Sequence, residues 1–340
     1  MEIMNYNINS CIKNTVSFGN DAGFEDKKPF HITYGVDKRY QLGVAISIVS
    51  VLINNRNSFC FHIFTDECSD EYLNKIKDIA ENFSTCINIY YVDPAFFHTL
   101  PSTKVWSHAM YYRLLAYDWL NSEIERVLYL DADVMCAGNL SALFQLDFSG
   151  NVAAVVDDFF STKESSIVRL GSKLKDKQHY FNSGVMLVNL RIWQEESLTE
   201  KALNMLLDPA LAKEIKYPDQ DVLNIILSER LIFLERKYNT IYTLKAELKD
   251  KTHKKYTSVI NDSTVLVHYT GVTKPWHSWG FYPSGDIFNI AWNSSPWRNS
   301  PRQSAETVSE MQKEYKHYFA YGKYRKGIFS LLKYKLKKSR

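Results

Sequence analysis

Apolar and polar positions in the first half of the chain fall into two alternating rhythms. Apolar runs of strand length occur at HITYGVD (31–37), SFCFHIFTD (58–66), INIYYVD (87–93) and RVLYLDAD (126–133). Between them lie stretches of helical length: YQLGVAISIVSVLIN (40–54), DEYLNKIKDIAENF (70–83) and SHAMYYRLLAYDWL (107–120). In the second of these, Leu73, Ile76, Ile79 and Phe83 recur at helical spacing. The first carries the small residues Gly43, Ala45 and Ser47 and suits a buried helix. Strands alternating with helices predict a parallel sheet covered on both faces.

The second half is less regular. VAAVVDDF (152–159) reads as a strand with Asp157 at its end, and PDQD (218–221) opens an apolar helix. The run VLV before His268 reads as another strand. KAELKDKTHKKY (245–256) reads as an exposed loop or helix, and residues 296–340 as a helical appendage. Residues 1–29 are polar and irregular, an extension with partial order. These boundaries predict an extension over 1–29, an α/β domain over 30–280 and a basic helical region over 281–340.

The predicted strands run out into aspartate, Asp37, Asp66 and Asp131 among these ends. Ligands of open α/β sheets collect at the carboxyl ends of strands, although Asp also favours turns on its own account. Asp131-Ala132-Asp133 is the sharpest case, because a buried run surfaces directly into two carboxylates. In an extended segment residues i and i+2 face the same side. Two convergent carboxylates suit Mg²⁺ or Mn²⁺, which in turn grips a diphosphate and relieves the repulsion between the acids. A turn bearing two solvated acids is the competing reading, and a second D-x-D at Asp219–Asp221 shows how weak the spacing is alone. His268, emerging from its strand near Gly271, is a candidate third ligand, and an imidazole favours Mn²⁺ over Mg²⁺. Lys274 and Arg113 are candidate phosphate ligands, or plain surface charges. Asn182, in FNSG, together with Asp157, Asp219 and Gln220, offers polar groups for sugar hydroxyls, while Asp219 also suits a helix cap.

Composition narrows the class. The 340 residues are 45% hydrophobic and 23% charged, ordinary for a globular protein with a sizeable core. Five cysteines, an odd count without a CxxC, argue against a disulfide framework and against a zinc site. The N-terminus lacks a basic segment followed by an apolar one, and no apolar run reaches membrane-spanning length, so the cytoplasm is the expected location. The net charge of +3 hides an asymmetry. Residues 321–340 hold eight of the 41 Lys and Arg and no acid, leaving 33 basic groups against 38 acidic ones in the rest. Tyr324, Ile328, Phe329, Leu331, Leu332 and Tyr334 interleave with those charges, a mix suited to an anionic interface.

Taken in order, ITYGVDKRY, MYYRL, LYLDADV, YFNSGVMLVNL, YPDQDVLN and HYTGVTKPWH resemble the family 8 glycosyltransferases over residues 31–280. VWSHAMYYRL, KYNTIYTLKAELKDKTHKKY and NSSPWRNSPR are similar to the bacterial lipopolysaccharide core α-glycosyltransferases of that family. The resemblance implies a GT-A fold and retaining transfer from a UDP-hexose, glucose first and galactose second, to a hexose of the lipopolysaccharide outer core. It implies Asp131, Asp133 and His268 on the metal, Mn²⁺ or Mg²⁺, and Lys274 and Gly271 at the diphosphate. Asp37 would lie near uridine or ribose, with Arg113, Asp157, Asn182, Asp219 and Gln220 around the hexose. Gln220 and Asp219 are the polar candidates beside the anomeric carbon. The family often has Asn two residues after the first strand-end Asp, where this chain has Arg39. The expected location becomes the cytoplasmic face of the bacterial inner membrane, held peripherally through residues 321–340, with no nucleic-acid partner. Two rivals stand beside this reading. A metal-dependent nucleotidyltransferase would want a Gly- and Lys-rich phosphate loop, of which GVDKRYQLG is a poor version. A non-catalytic carbohydrate- or membrane-binding protein would not need Asp131, Asp133, His268 and Lys274 together.

Overall fold

The computed structural model describes residues 8–19, 28–102, 107–121 and 124–339. Its strands are β1 (Ile12–Phe18), β2 (Phe30–Val36), β3 (Phe59–Thr65), β4 (Cys86–Val92), β5 (Arg126–Leu130) and β6 (Val134–Cys136), then β7 (Ala153–Asp157), β8 (Phe181–Asn189), β9 (Leu231–Phe233), β10 (Thr240–Tyr242) and β11 (Leu266–Tyr269). Eight of them form one sheet in the order β1-β4-β3-β2-β5-β8-β7-β9, and β10-β11-β6 form a second. The four strands expected from the first half pair parallel, β4 to β3 to β2 to β5. In the second half β8 lies antiparallel between β5 and β7. Helices flank the sheet, and apolar side chains fill both of its faces.

Three local departures from the sequence reading matter. Within the polar N-terminal stretch, β1 pairs antiparallel with β4 at the sheet edge. An edge strand needs only one ladder and little burial, so polar alternation suffices. The run 126–133 is not one strand. β5 stops at Leu130, the Val134 amide donates to the Asp131 carbonyl, and the chain turns into β6 of the other sheet. KAELKDKTHKKY is not wholly exposed, because Glu247 is buried. Its carboxylate accepts from Tyr242 Oη at 2.7 Å and Ser284 Oγ at 2.6 Å, and lies 2.9 Å from His253 Nδ1.

The Gln41–Asn54 helix is rich in β-branched residues, yet buried almost throughout. Packing on both sides overrides its modest propensity. A Cβ at Gly43 would come within 2.4 Å of the Ala132 carbonyl oxygen. The small residue therefore lets the acidic turn rest directly on the helix.

At the C-terminus the Val308–Ala320 helix opens with a reciprocal capping box between Thr307 and Glu310. The Tyr324–Lys338 helix packs back against it, and a Cβ at Gly327 would fall 2.7 Å from the Phe319 ring.

Candidate active site

The acidic turn forms part of the wall of a cleft of about 750 Å³ at the carboxyl ends of the central strands. Asp131, Asp133 and His268 converge there, each offering a ligand atom within 4.8 Å of the others. His268 Nε2 lies 3.1 Å from Asp133 and 3.7 Å from Asp131. The other ring nitrogen, Nδ1, is 3.2 Å from the Asn239 carboxamide oxygen. That contact sets a proton on Nδ1 and aims Nε2 at the carboxylates.

Each acid has its own cation. Lys274 Nζ donates to Asp133 and, at 2.9 Å, to the Tyr269 carbonyl. Burial opposes ionisation of Asp133, but the Lys274 ammonium and His268 outweigh it and hold the carboxyl well below its ordinary range. Burial likewise works against a proton on His268, yet Asp133 and Asp131 outweigh it and push the imidazole upward. Arg113 donates to Asp131 Oδ1 at 2.9 Å, and the Tyr129 hydroxyl donates to the same oxygen at 3.0 Å. The buried guanidinium also lies 3.2 Å from Asp219 and donates to the Ser183 carbonyl at 2.6 Å. Its donors thus brace two cleft carboxylates and the backbone. Burial is the chief force raising Asp219, with Arg113 pulling its pKa down and Asp131 pushing it up.

A polar chain continues from His268. Asn239 Nδ2 donates to Asn182 at 3.0 Å, and Asn182 Nδ2 donates to Gln220 Oε1 at 3.2 Å. Gln220 Nε2 donates to Asp158 at 2.9 Å. Its amide orientation is thereby fixed from both ends. The Pro218–Leu227 helix supplies Asp219 and Gln220 from its first turn, and β8 supplies Asn182.

Asp37, Gly271 and Lys274 also line the cleft. Asp37 caps a short 3-10 turn by accepting from the Arg39 amide at 3.1 Å, and its other oxygen accepts from Ser107 Oγ at 2.6 Å. Gly271 adopts φ +91°, a conformation that favours glycine. Asp157 is not brought to the cleft. Lys163 and His179 hold its carboxylate, at 3.1 and 3.0 Å, and the neighbouring Asp158 lines the cleft instead. Strand alternation explains the exchange, since one residue further along points to the opposite face. Asp66 is absent from the cleft-lining residues.

Sequence reasoning missed four contributors. Asn239 lies in a quoted segment, KYNTIYT, but carries no pattern that marks it. Gly184 closes FNSG. A Cβ there would come within 2.3 Å of His268 and 2.7 Å of Asp131, so the acids and the imidazole can meet only over a glycine. Glu310 reaches the cleft from the C-terminal region together with Thr307, and bonds Arg39 across its mouth. Asp158 was passed over for Asp157.

Two family models match the chain: glycosyl transferase family 8 over residues 31–280, and its C-terminal part over 282–338. The chain is 42% identical over 315 residues to a lipopolysaccharide 1,2-glucosyltransferase of Escherichia coli, covering 92% of this chain and 93% of that one. It is 38% identical over 326 residues to a lipopolysaccharide 1,3-galactosyltransferase of Salmonella typhimurium, covering 93% of each. Among solved structures, the galactosyltransferase LgtC in complex with donor and acceptor sugar analogues superposes with a TM-score of 0.66 at 22% identity, over 79% of this chain and 99% of that one. That likeness shows the GT-A fold expected from the motifs. With both of its models matched in sequence order, the chain belongs to glycosyl transferase family 8 and is a glycosyltransferase.

Proposed function

We propose that the protein is a metal-dependent retaining α-glycosyltransferase that moves glucose from UDP-glucose to a hexose of the lipopolysaccharide outer core. The observation that carries this reading is the convergence of Asp131, Asp133 and His268 in the cleft. Two carboxylate oxygens and one imidazole nitrogen fit Mn²⁺, and Mg²⁺ less well. Three protein ligands leave coordination positions for diphosphate oxygens. Gly184 keeps the space among the three clear of side chain. The identities support the acceptor class and the choice of glucose: 42% to the 1,2-glucosyltransferase against 38% to the 1,3-galactosyltransferase.

When bound, the cation would neutralise the diphosphate of the donor. The rest falls to this chain's own residues. Lys274 would exchange Asp133 for a diphosphate oxygen and stabilise the charge that develops as UDP leaves. Gly271 lets backbone approach the diphosphate, and Asp37 faces the nucleoside. Arg113 holds Asp131 and Asp219 in place. The Asn182–Gln220–Asp158 chain presents oriented polar groups to the hexose, with Asp158 in the role first expected of Asp157. Asp219 and Gln220 are both tied into hydrogen bonds and ion pairs with neighbours. This supports attack by the acceptor hydroxyl on the face UDP leaves, with a leaving oxygen taking the proton. A covalent hexose trapped on Asp219 or Gln220 would contradict that step.

Residues 30–280 form the transferase unit in this reading, and 281–340 complete the cleft and meet the membrane. On the Tyr324–Lys338 helix, Tyr324, Ile328, Leu332 and Leu336 are exposed at four-residue intervals, with basic residues between. Such a stripe suits the anionic cytoplasmic face of the inner membrane, and no described helix is long and apolar enough to cross a bilayer. Deleting 321–340 should release the protein from anionic vesicles; retention at the parent level contradicts the attachment. The function itself is tested by supplying UDP-glucose or UDP-galactose, Mn²⁺ and core-truncated lipopolysaccharide. The expected result is one added hexose from UDP-glucose, abolished by chelation. Transfer from UDP-galactose alone replaces the donor, and no transfer from either refutes the reading.

A further inference from the structure

A second cluster of ligand-type side chains lies in the same sheet, at the opposite ends of the strands from the cleft. β2, β3 and β4 run parallel with His31, Cys60 and Cys86 side by side in register. Alternation puts His62, Asn88 and Tyr90 on the same face as these three. The other face of the strands is ordinary core, with Ile32, Phe59, Phe61, Ile63, Ile87 and Ile89 buried.

The polar face is organised around its donors. A ring nitrogen of His31, the Cys60 sulfur and a ring nitrogen of His62 lie within 4.8 Å of one another. Cys86 Sγ is 2.9 Å from Cys60 Sγ. His62 Nε2 points at His31 Nδ1 at 3.0 Å, while its Nδ1 is 3.0 Å from the Tyr90 hydroxyl. One nitrogen is thus anchored from behind and the other turned inward, as in imidazoles that bind metal. Asn88 Nδ2 lies 3.4 Å from each of the two sulfurs and donates toward both. Cys60, His62 and Cys86 are buried, and His31 is only partly covered, which leaves an entry.

We propose that His31, Cys60, His62 and Cys86 form a structural site for a soft divalent cation of the zinc class, cross-linking β2, β3 and β4. Two imidazoles and two thiolates are the donor set such an ion takes in closed, tetrahedral structural sites. Cys86 enters as the fourth ligand by rotation of its side chain, and each thiol that ligates releases its proton. The site stabilises the sheet and takes no part in transfer, because Val36, at the cleft end of β2, lies five positions beyond His31, about 16 Å at strand rise. Chain spacing conceals it, since the four ligands come from three strands with no CxxC between them.

The test is cobalt titration of chelator-stripped, fully reduced protein. Of the two ligand clusters among the described residues this one alone contains sulfur, so a near-ultraviolet sulfur-to-cobalt band reports it without contribution from Asp131, Asp133 and His268. The expected result is a band saturating at about one equivalent of Co²⁺ and displaced by Zn²⁺. It should persist in an Asp131→Asn, Asp133→Asn double variant and disappear in Cys60→Ser. The folded parent itself decides the matter: no sulfur-to-cobalt band at stoichiometric Co²⁺ overturns the proposal. So does recovery of a Cys60–Cys86 disulfide from protein purified without reductant and never exposed to chelator.

Discussion

The chain contains two D-x-D triplets, and the fold uses them in opposite ways. Asp131 and Asp133 sit at a corner where the chain leaves one sheet for another, and their carboxylates converge on His268. Asp219 and Asp221 sit in the first turn of a helix, where a two-residue step rotates the side chain by about 200°. Asp219 therefore faces the cleft, while Asp221 is fully buried on the other side. There it accepts from both Arg169 nitrogens at 2.8 Å, from the Tyr180 hydroxyl at 2.6 Å and from the amides of Lys216 and Tyr217. In the proposed reading one pair holds an added cation. The other is split between the cleft and an internal ion pair.

Substitutions at the two triplets should separate chemistry from stability. Asp133→Asn should lower transfer by about 10²- to 10³-fold. Its stability should move less than that of the Asp221 variant, because Lys274 keeps the Tyr269 carbonyl and the cleft admits water. Asp221→Ala should cost about 3–5 kcal/mol in denaturant unfolding, since it leaves Arg169 without its buried partner. Its folded fraction should retain metal-dependent transfer. Equal losses of activity and stability at both positions would erase the distinction.

Two neighbours of the first triplet sharpen it. Asn239→Ala should weaken metal binding by about 10- to 100-fold by freeing the His268 ring, with the three ligands unaltered. Gly184→Ala should act in the same direction by forcing His268 and Asp131 apart. Titration calorimetry with Mn²⁺ and UDP reads both, and parent-like affinity in either variant would mean the ligands are placed by something else.

The smallest effect lies at the cleft mouth. Burial tends to raise Glu310, but the Thr307 and Glu306 amides and Arg39 outweigh it and hold its carboxyl below its ordinary value. A depressed carboxyl stabilises the fold above its unfolded pKa, near 4.5, and loses that contribution as pH falls through the lower folded value. Thermal unfolding from pH 6 down to 3 should thus show a loss in the parent that Glu310→Gln lacks. Parallel pH curves would rule the contact out as a stabilising one.

Much of this was legible in the chain, for reasons that differ by element. The parallel half of the sheet showed itself because strands buried on both faces leave continuous apolar runs such as FCFHIF. The cleft residues on those strand ends, Asp37 and Asp131, were visible for the same reason. The turn after Leu130 was hidden, because nothing in LYLDADV distinguishes a strand end from a sheet corner. Asp158 was hidden by a single step of strand phase. Glu310 and Asn239 were hidden because tertiary packing alone brings them to the cleft, from 177 and 106 residues beyond Asp133. The second ligand cluster was hidden by its dispersal over three strands.

The most direct measurement is Mn²⁺ binding in the presence of UDP, followed by electron paramagnetic resonance, for the parent, Asp133→Asn and Asp221→Asn. The account predicts about one bound Mn²⁺ in the parent and in Asp221→Asn, and binding weakened at least tenfold in Asp133→Asn. Undiminished Mn²⁺ binding in Asp133→Asn would contradict the assignment of Asp131, Asp133 and His268 as the metal site.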